Sequence, residues 1–83
     1  MDKNRALAAV ADATRLEMLR LLARGELCAC ELPRLVNVSQ PAVSQHLKVI
    51  RAARLARMRK DGKRRLYSIS EKGRKVLGDI NRW

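Results

Sequence analysis

Aromatic and acidic residues are scarce in this sequence. The 83 residues include one Tyr, one Trp and no Phe, and only 8 Asp and Glu stand against 19 Lys and Arg. The core must therefore consist of aliphatic side chains, and a hydrophobic content of 47% is too high for a disordered chain. A domain of this size buries only about 60% of its unfolded surface, so we expect a partner subunit to supply further stability.

Long apolar runs and enzyme motifs are also missing. The longest unbroken apolar run, residues 6–11, has six residues. A membrane span needs roughly 18 residues, and even the hydrophobic part of a signal peptide is longer than this run. We therefore expect a cytoplasmic protein with no membrane partner. One His, few acids and no Gly-rich phosphate loop or nucleophile elbow argue against an enzyme.

The positive charge lies almost entirely in the second half of the chain. Residues 39–83 hold thirteen Lys and Arg against three acids, whereas residues 1–38 hold six against five. Between Arg51 and Arg65 there are eight basic residues and one acid. Neutralising phosphates releases condensed counterions, so such a segment is typical of a nucleic-acid-binding surface. A solubilising surface is the alternative.

Hydrophobic periodicity predicts three helices in the first part of the chain, over residues 2–11, 13–24 and 29–36. Asp12 is a suitable N-cap for the second helix. Gly25 is a suitable stop for that helix, since glycine adopts positive φ without strain. Asn37 can take the left-handed conformation that ends the third helix.

A fourth helix, with Ser39 as its N-cap, is predicted to extend to about residues 51–53. Its polar and apolar residues fall on opposite faces, so it forms a helix-turn-helix with the third helix. Asp61-Gly62 lies between two strand-like runs and predicts a basic β-hairpin over residues 55–69, which we call the wing. Ser70 then caps a last helix. The predicted fold is mainly α with a β-hairpin wing, a winged helix-turn-helix of order ααααββα that covers residues 1–83 as one domain.

The exposed face of the fourth helix and the wing are the predicted contacts to double-stranded DNA. Gln can form two hydrogen bonds to adenine and Ser adapts to several base edges. We therefore expect base contacts from Gln40, Ser44 and Gln45, although Gln40 has N-terminal packing as an alternative. Phosphate contacts give affinity without sequence information, and they are expected from Lys48, Arg51, Lys60, Lys63, Arg64 and Arg65.

Cys28 and Cys30 form a Cys-x-Cys pair where the third helix is predicted to begin. Two small buried apolar residues are the alternative interpretation. In a regular helix these side chains would point about 200° apart. With Cys28 at the N-cap, outside helical geometry, the sulfurs can converge, and the helix N-terminus favours the thiolate. Soft thiolates select soft ions, so the pair is a candidate metal site.

Four segments together resemble the ArsR/SmtB family of metal-sensing winged-helix repressors: ADATRL, ELCACEL, SQPAVSQHLKVI and KRRLYS, at residues 11–16, 26–32, 39–50 and 63–68. The resemblance implies a homodimer that represses a small operon by binding operator DNA and is released by a toxic metal ion. It implies dimer contacts on the first and last helices, at Leu7, Val10, Val76, Leu77, Ile80 and Trp83. It also favours a position near DNA for His46, with half-buried packing as the alternative. Arg54 stands where the family usually has Gly.

The segment ELCACEL is similar to the ELCVCDL pattern of arsenic-responsive members, and Pro33 occupies the position of their third Cys. The resemblance implies As(III) or Sb(III) as inducer, held by Cys28 and Cys30 with hydroxide or a small thiol as third ligand, and no required cofactor. Cadmium- and lead-sensing relatives add Cys from an N-terminal arm, and residues 1–27 contain none. Ion binding is expected to distort the third helix and so the spacing of the two fourth helices in the dimer.

Other functions remain open from the sequence. Within the same family, the chain could sense cadmium, lead or thiol oxidation, or it could bind no metal ligand. Outside the family, an RNA-binding module is disfavoured by the lack of aromatic residues for base stacking. A thiol oxidoreductase would need a reactive, exposed cysteine pair.

Overall fold

The computed structural model describes residues 3–81, which form helices around a three-stranded antiparallel sheet. In chain order the elements are α1 (Lys3–Val10), α2 (Ala13–Arg24), β1 (Leu27–Cys28), α3 (Leu32–Val36), α4 (Gln40–Ala52), β2 (Ala56–Asp61), β3 (Arg64–Ile69) and α5 (Glu71–Asn81). This is the predicted winged helix-turn-helix, with one strand more than predicted.

The additional strand, β1, pairs with the wing. The central strand β3 pairs with β2 on one side, from Ala56 opposite Ile69 to Asp61 opposite Arg64, and with β1 on the other. The wing turn therefore has only two residues outside the strands, of which Gly62 has a φ of 64°. Pairing with β3 holds residues 27–28 in extended backbone, and α3 begins at Leu32. The prediction that the third helix begins at residue 29 is therefore wrong.

The helix ends mostly follow the predicted caps. The Asp12 side chain accepts a hydrogen bond from the Arg15 amide at 3.0 Å, and the Ser39 hydroxyl accepts one from the Ala42 amide at 3.3 Å. Asn37 ends α3 in the left-handed conformation, with a φ of 56°. Gly25 ends α2, but its φ of 160° is extended backbone. The prediction that glycine ends α2 by adopting a positive φ of the left-handed region is therefore wrong.

The junction between α4 and the wing depends on Ser70. Arg54 follows the end of α4 with a φ of 63°, the left-handed region that glycine favours. The Ser70 hydroxyl donates to the Arg54 carbonyl at 2.7 Å and accepts from the Gly73 amide at 2.9 Å. One side chain thus caps α5 as predicted and holds the turn at which Arg54 replaces the expected glycine.

The core joins α2, α3 and α4 to the start of the wing, and its largest fully buried side chains are Met18, Leu19, Leu22, Leu32, Val43, Ile50 and Leu55. The helix-turn-helix is thus fixed to α2, and the opposite face of α4 is left free. Among the described residues no helix has the length and apolarity needed to cross a membrane.

The residues predicted for the dimer face differ in exposure. Leu7 is 58% exposed, whereas Val10 and Val76 are half-buried against the chain's own core. Ile80 is half-buried, and Trp83 lies outside the described residues. Leu77 is a core residue with 8% exposure. Leu77 therefore packs within its own chain, because α5 lies against the core at that position, and its expected contact in a dimer stays a prediction.

Two glycines of α5 offer a matched test of how closely this helix packs. An alanine Cβ at position 73 would overlap the Leu55 carbonyl oxygen and lie 2.8 Å from Ile69 Cγ1, whereas one at position 78 meets no atom within 4 Å. We expect Gly73→Ala to lower the free energy of unfolding by about 1–3 kcal/mol through overpacking. Gly78→Ala should raise it by about 0.5–1 kcal/mol through helix propensity.

Urea denaturation followed by circular dichroism measures both changes. A Gly73→Ala protein as stable as Gly78→Ala would show that α5 does not sit against Leu55.

Candidate nucleic-acid interface and dithiol site

The outer face of α4 carries the residues predicted to contact DNA. The side chains buried beneath it are Val43, Leu47 and Ile50. The residues exposed on it are Gln40, Ser44, Gln45, Lys48 and Arg51. A helix that is anchored on one face and polar on the other can enter a DNA major groove without losing core contacts. The structure thus leaves these side chains accessible, and their contacts to bases and phosphates stay a prediction.

His46 lies at the edge of that face and is half-buried. Its Nδ1 atom is 3.3 Å from Nη1 of Arg15 on α2. Because a guanidinium only donates, Nδ1 is the acceptor of this bond. Arg15 also donates from Nε to the Ala9 carbonyl at 2.8 Å, which links α1, α2 and α4. These contacts agree with the alternative of half-buried packing for His46. Its expected position near DNA stays a prediction.

Two of the wing's cations are paired with carboxylates on the β1 side of the sheet. Arg59 donates from Nε and Nη2 to the two carboxylate oxygens of Glu26, at 2.9 and 2.8 Å. Arg64, a predicted phosphate contact, has Nη2 at 3.8 Å from Oε1 of Glu31. Exposed wing cations also include Lys60, Lys63 and Arg65. The wing therefore carries positive charge at its tip and paired charge along β1.

A basic cleft lies between the end of α4, β2 and the start of α5. Its volume is about 680 Å³, and its lining includes Arg51, Arg54, Arg57 and Lys72. The Lys72 ammonium donates to the Ala53 carbonyl at 2.9 Å, which fixes it at the end of α4. Among these residues only Arg51 was predicted to contact DNA. Arg54 and Arg57 belong to the same basic segment, residues 51–65, and that segment was the signal in the sequence.

Cys28 and Cys30 meet outside any helix. Cys28 lies in β1 and is 2% exposed, whereas Cys30 lies in the following turn and is exposed. Their Cα atoms are 5.1 Å apart and their sulfurs are joined as a disulfide. The predicted convergence of the sulfurs is therefore present, but the predicted position of Cys28 at the N-cap of α3 is wrong, because Glu31 occupies that position.

The turn that holds the two cysteines is hydrogen-bonded both internally and to the wing. The Cys30 amide donates to Cys28 Sγ at 3.2 Å, and the Cys28 amide donates to Oε1 of Glu31 at 3.1 Å. The Ala29 amide donates to the Arg65 carbonyl of β3 at 2.9 Å. Residues 28–31 are therefore attached to a strand that carries predicted DNA contacts.

The chemistry available at this turn is that of two sulfur atoms. Within residues 3–81 no group of three or more His, Cys, Asp or Glu side chains is placed to hold a metal ion. A soft ion held by Cys28 and Cys30 would need its further ligands from solution. Cys28 is a buried residue and Cys30 an exposed one, so an ion would approach from the Cys30 side.

The Glu26–Arg59 pair generates a prediction about pH. The hydrogen bond from Arg59 lowers the pKa of Glu26 below its ordinary value of 4.5. A lowered pKa in the folded state means that the pair stabilises the fold above the ordinary value, and that this contribution is lost as the pH falls through the lowered one. The pair is exposed, so the effect is small.

We expect Glu26→Gln to reduce the loss of stability between about pH 5 and about pH 3, measured as the shift in the midpoint of urea unfolding. Glu17→Gln, at an exposed position of α2, is the control. An unchanged pH dependence in Glu26→Gln would contradict the pairing.

Comparison with known proteins identifies a family and related regulators, two of which are described here. Residues 12–57 match the family described as "Bacterial regulatory protein, arsR family". The chain is 46% identical over 81 residues to the HTH-type transcriptional regulator Rv2034 of Mycobacterium tuberculosis, covering 96% of this chain and 76% of that protein. It is 40% identical over 74 residues to an arsenical resistance operon repressor of Staphylococcus aureus, covering 89% of this chain and 68% of the relative.

A solved structure has the same fold. The homodimeric winged helix-turn-helix DNA-binding domain of a possible ArsR-family transcriptional regulator from Mycobacterium bovis superimposes with a TM-score of 0.86 at 25% identity. The match covers 94% of this chain and 73% of that one. The winged helix-turn-helix described above is thus a fold in which that other chain is homodimeric.

Proposed function

Because the chain belongs to the ArsR family of bacterial regulatory proteins, we propose that it is a transcriptional repressor that binds operator DNA as a homodimer. We propose further that As(III) or Sb(III) binding to Cys28 and Cys30 releases it from the DNA. The observation that carries this proposal is the meeting of the two sulfurs in a turn bonded to the wing. The Staphylococcus relative, named as an arsenical resistance repressor, supports the choice of ion.

Ion binding requires the two cysteines as thiols. Two molecules of a small cellular thiol reduce the disulfide by exchange, which gives two protein thiols and the disulfide of the small thiol. Arsenious acid then reacts with both thiols. Two sulfur–arsenic bonds form and two arsenic–oxygen bonds break, and the two thiol protons leave with the released hydroxides as two water molecules. The arsenic keeps its third hydroxide and its oxidation state, so no further protein ligand or oxidant is needed.

The DNA side of the proposal rests on the exposed face of α4 and on the unpaired cations of the wing. Gln40, Ser44 and Gln45 would contact base edges, and the basic residues of α4 and the wing would contact phosphates. A twofold dimer requires two half-sites about one helical turn apart, arranged as an inverted repeat. The half-buried and exposed apolar residues of α1 and α5, Leu7, Val10, Val76 and Ile80, are proposed for the dimer contact.

Salt dependence tests whether the wing and α4 contact phosphates. With six to ten phosphate contacts, affinity for a duplex selected from a random pool should fall roughly 10³–10⁵-fold between about 50 and 200 mM salt. We expect Lys63→Gln, at the wing tip, to reduce the slope of log affinity against log salt by about 1. Lys75→Gln, at an exposed position of α5, is the control and should leave the slope unchanged. A flat salt response, or equal slopes in both variants, would refute the assignment.

Arsenite release tests the dithiol site. Protein reduced with a phosphine should lose roughly 5–150-fold of its DNA affinity when arsenite is added, the usual range for coupled sites. Cys28→Ser and Cys30→Ser should keep their affinity. Ultraviolet absorption of the sulfur–arsenic bonds reports the stoichiometry, expected to be one ion per chain. If wild type and both variants are released equally, the site is not the sensor.

Thiol oxidation is the second candidate function, and the joined sulfurs favour it. In that reaction hydrogen peroxide takes two electrons from the two thiols, its O–O bond breaks, and the products are the disulfide and two water molecules. Both candidates use the same cysteines, so the serine variants do not separate them. Release of fully reduced protein by arsenite in the absence of peroxide supports the ion, whereas release only by peroxide supports oxidation. Titration with cadmium or lead separates the remaining metal alternatives.

A further inference from the structure

Residues 28–30, which contain both cysteines, are called the dithiol turn. The Glu31 side chain contacts both this turn and the wing. Its Oε1 atom accepts the Cys28 amide hydrogen at 3.1 Å and lies 3.8 Å from Nη2 of Arg64. Its own amide donates to the Cys28 carbonyl at 2.9 Å. One carboxylate oxygen is thus shared between the backbone of a cysteine and a cation of β3.

This sharing makes the Glu31 carboxylate sensitive to the position of the turn. Cys28 Sγ is joined to Cys30 Sγ and accepts the Cys30 amide hydrogen. An ion bound to both sulfurs would impose its own separation and angle on them in place of the direct bond. The backbone of residues 28–30 then has to reorient, and the Cys28 amide moves with it. A carboxylate that loses the Cys28 amide is freer to pair closely with the Arg64 guanidinium, since charge-assisted pairs prefer contacts nearer 2.8 Å than 3.8 Å.

We propose that Glu31 transmits ion binding at Cys28 and Cys30 to the DNA interface by withdrawing Arg64 from phosphate. The inference rests on the proposed function and names the residue that carries its regulation. Without the ion, Glu31 accepts the Cys28 amide hydrogen and pairs with Arg64 only loosely, at 3.8 Å, so that Arg64 can still reach DNA. With the ion, Glu31 neutralises Arg64. Because coupling is reciprocal, DNA bound at Arg64 weakens ion binding by the same factor.

The same wing contains a matched control. Glu26 pairs with Arg59 through two hydrogen bonds, so it also neutralises a wing cation. Both of these hydrogen bonds come from Arg59, and Glu26 precedes β1 whereas the turn with the two cysteines follows it. If the wing's total charge were all that mattered, Glu26 and Glu31 would be equivalent. If ion binding is transmitted through the turn, only the Glu31 substitution changes the release of DNA by arsenite.

The test compares wild type, Glu31→Gln and Glu26→Gln as reduced full chains. Affinity for the selected duplex is measured with and without arsenite, and ultraviolet absorption measures arsenite binding. We expect both variants to bind DNA a few-fold more tightly without arsenite, since each loses a negative charge. Glu31→Gln should bind one arsenite per chain but lose at least half of the wild-type release, on a logarithmic scale. Glu26→Gln should keep the wild-type release.

Glu31→Gln leaves the start of α3 intact, because the Glu31 side chain makes no capping hydrogen bond to that helix. Arg64→Gln supplies a second, independent variant. In a double-mutant cycle with Glu31→Gln, the two losses of release should not add, because both remove the same pair. Additive losses would place the two residues on separate routes and overturn the proposal.

The remaining outcomes are distinct. If arsenite releases wild type and Glu31→Gln from the duplex equally, Glu31 is not the transmitting residue, although the proposed function stands. If Glu26→Gln loses release as much as Glu31→Gln, the effect is one of wing charge and the proposal is wrong. If arsenite binds wild type without releasing it, the proposed function fails and this inference fails with it.

Discussion

The pairing of β1 with β3 is the constraint on which the site depends. Two residues, Leu27 and Cys28, pair with Tyr67 and Leu66 of the wing, and the Ala29 amide extends the ladder to the Arg65 carbonyl. Since a strand pair resists sliding and separation, the turn after β1 cannot move without disturbing β3. Cys28 is therefore part of the wing's own sheet and Cys30 lies in the turn attached to it, although α3 and α4 follow them in the chain.

The helices, their caps and the hairpin could be predicted because each depends on residues close in sequence. Asp12, Ser39 and Asn37 act within one turn of the helix that they cap, and periodicity acts over a dozen residues. Strand β1 could not be predicted in this way. It has two residues, too few to show alternation, and its partner strand lies more than thirty residues further along the chain. Because β1 pairs with β3, α3 is also shorter than the helix predicted over residues 29–36.

In the candidate site, too, features that depend on residues close in sequence could be predicted, and features that depend on strand pairing could not. The exposed polar face of α4 follows from a 3.6-residue repeat, and the convergence of Cys28 and Cys30 follows from their spacing once a helix is excluded. The pair Glu31–Arg64 needs the register of β1 against β3, which the sequence does not reveal. The pair Glu26–Arg59 needs that register and also the register of β2 against β3. The sequence showed an excess of cations, whereas the structure shows which of them are already paired.

Pro33 bears on the direction in which the turn can move. It stands in the first turn of α3, where its ring fixes φ, and its carbonyl accepts the Val38 amide at 3.2 Å beyond the left-handed Asn37. A five-residue helix fixed at both ends, with Leu32 and Val36 in the core, moves as a unit or hardly at all. The turn of residues 28–31 is bonded to β3 through the Ala29 amide and to α3 through the Glu31 carbonyl, which accepts the Leu35 amide at 3.4 Å. On the proposed function, a displacement that starts at Cys28 and Cys30 would therefore reach the wing by a direct contact, beside the path through α3 to α4 that the sequence predicts.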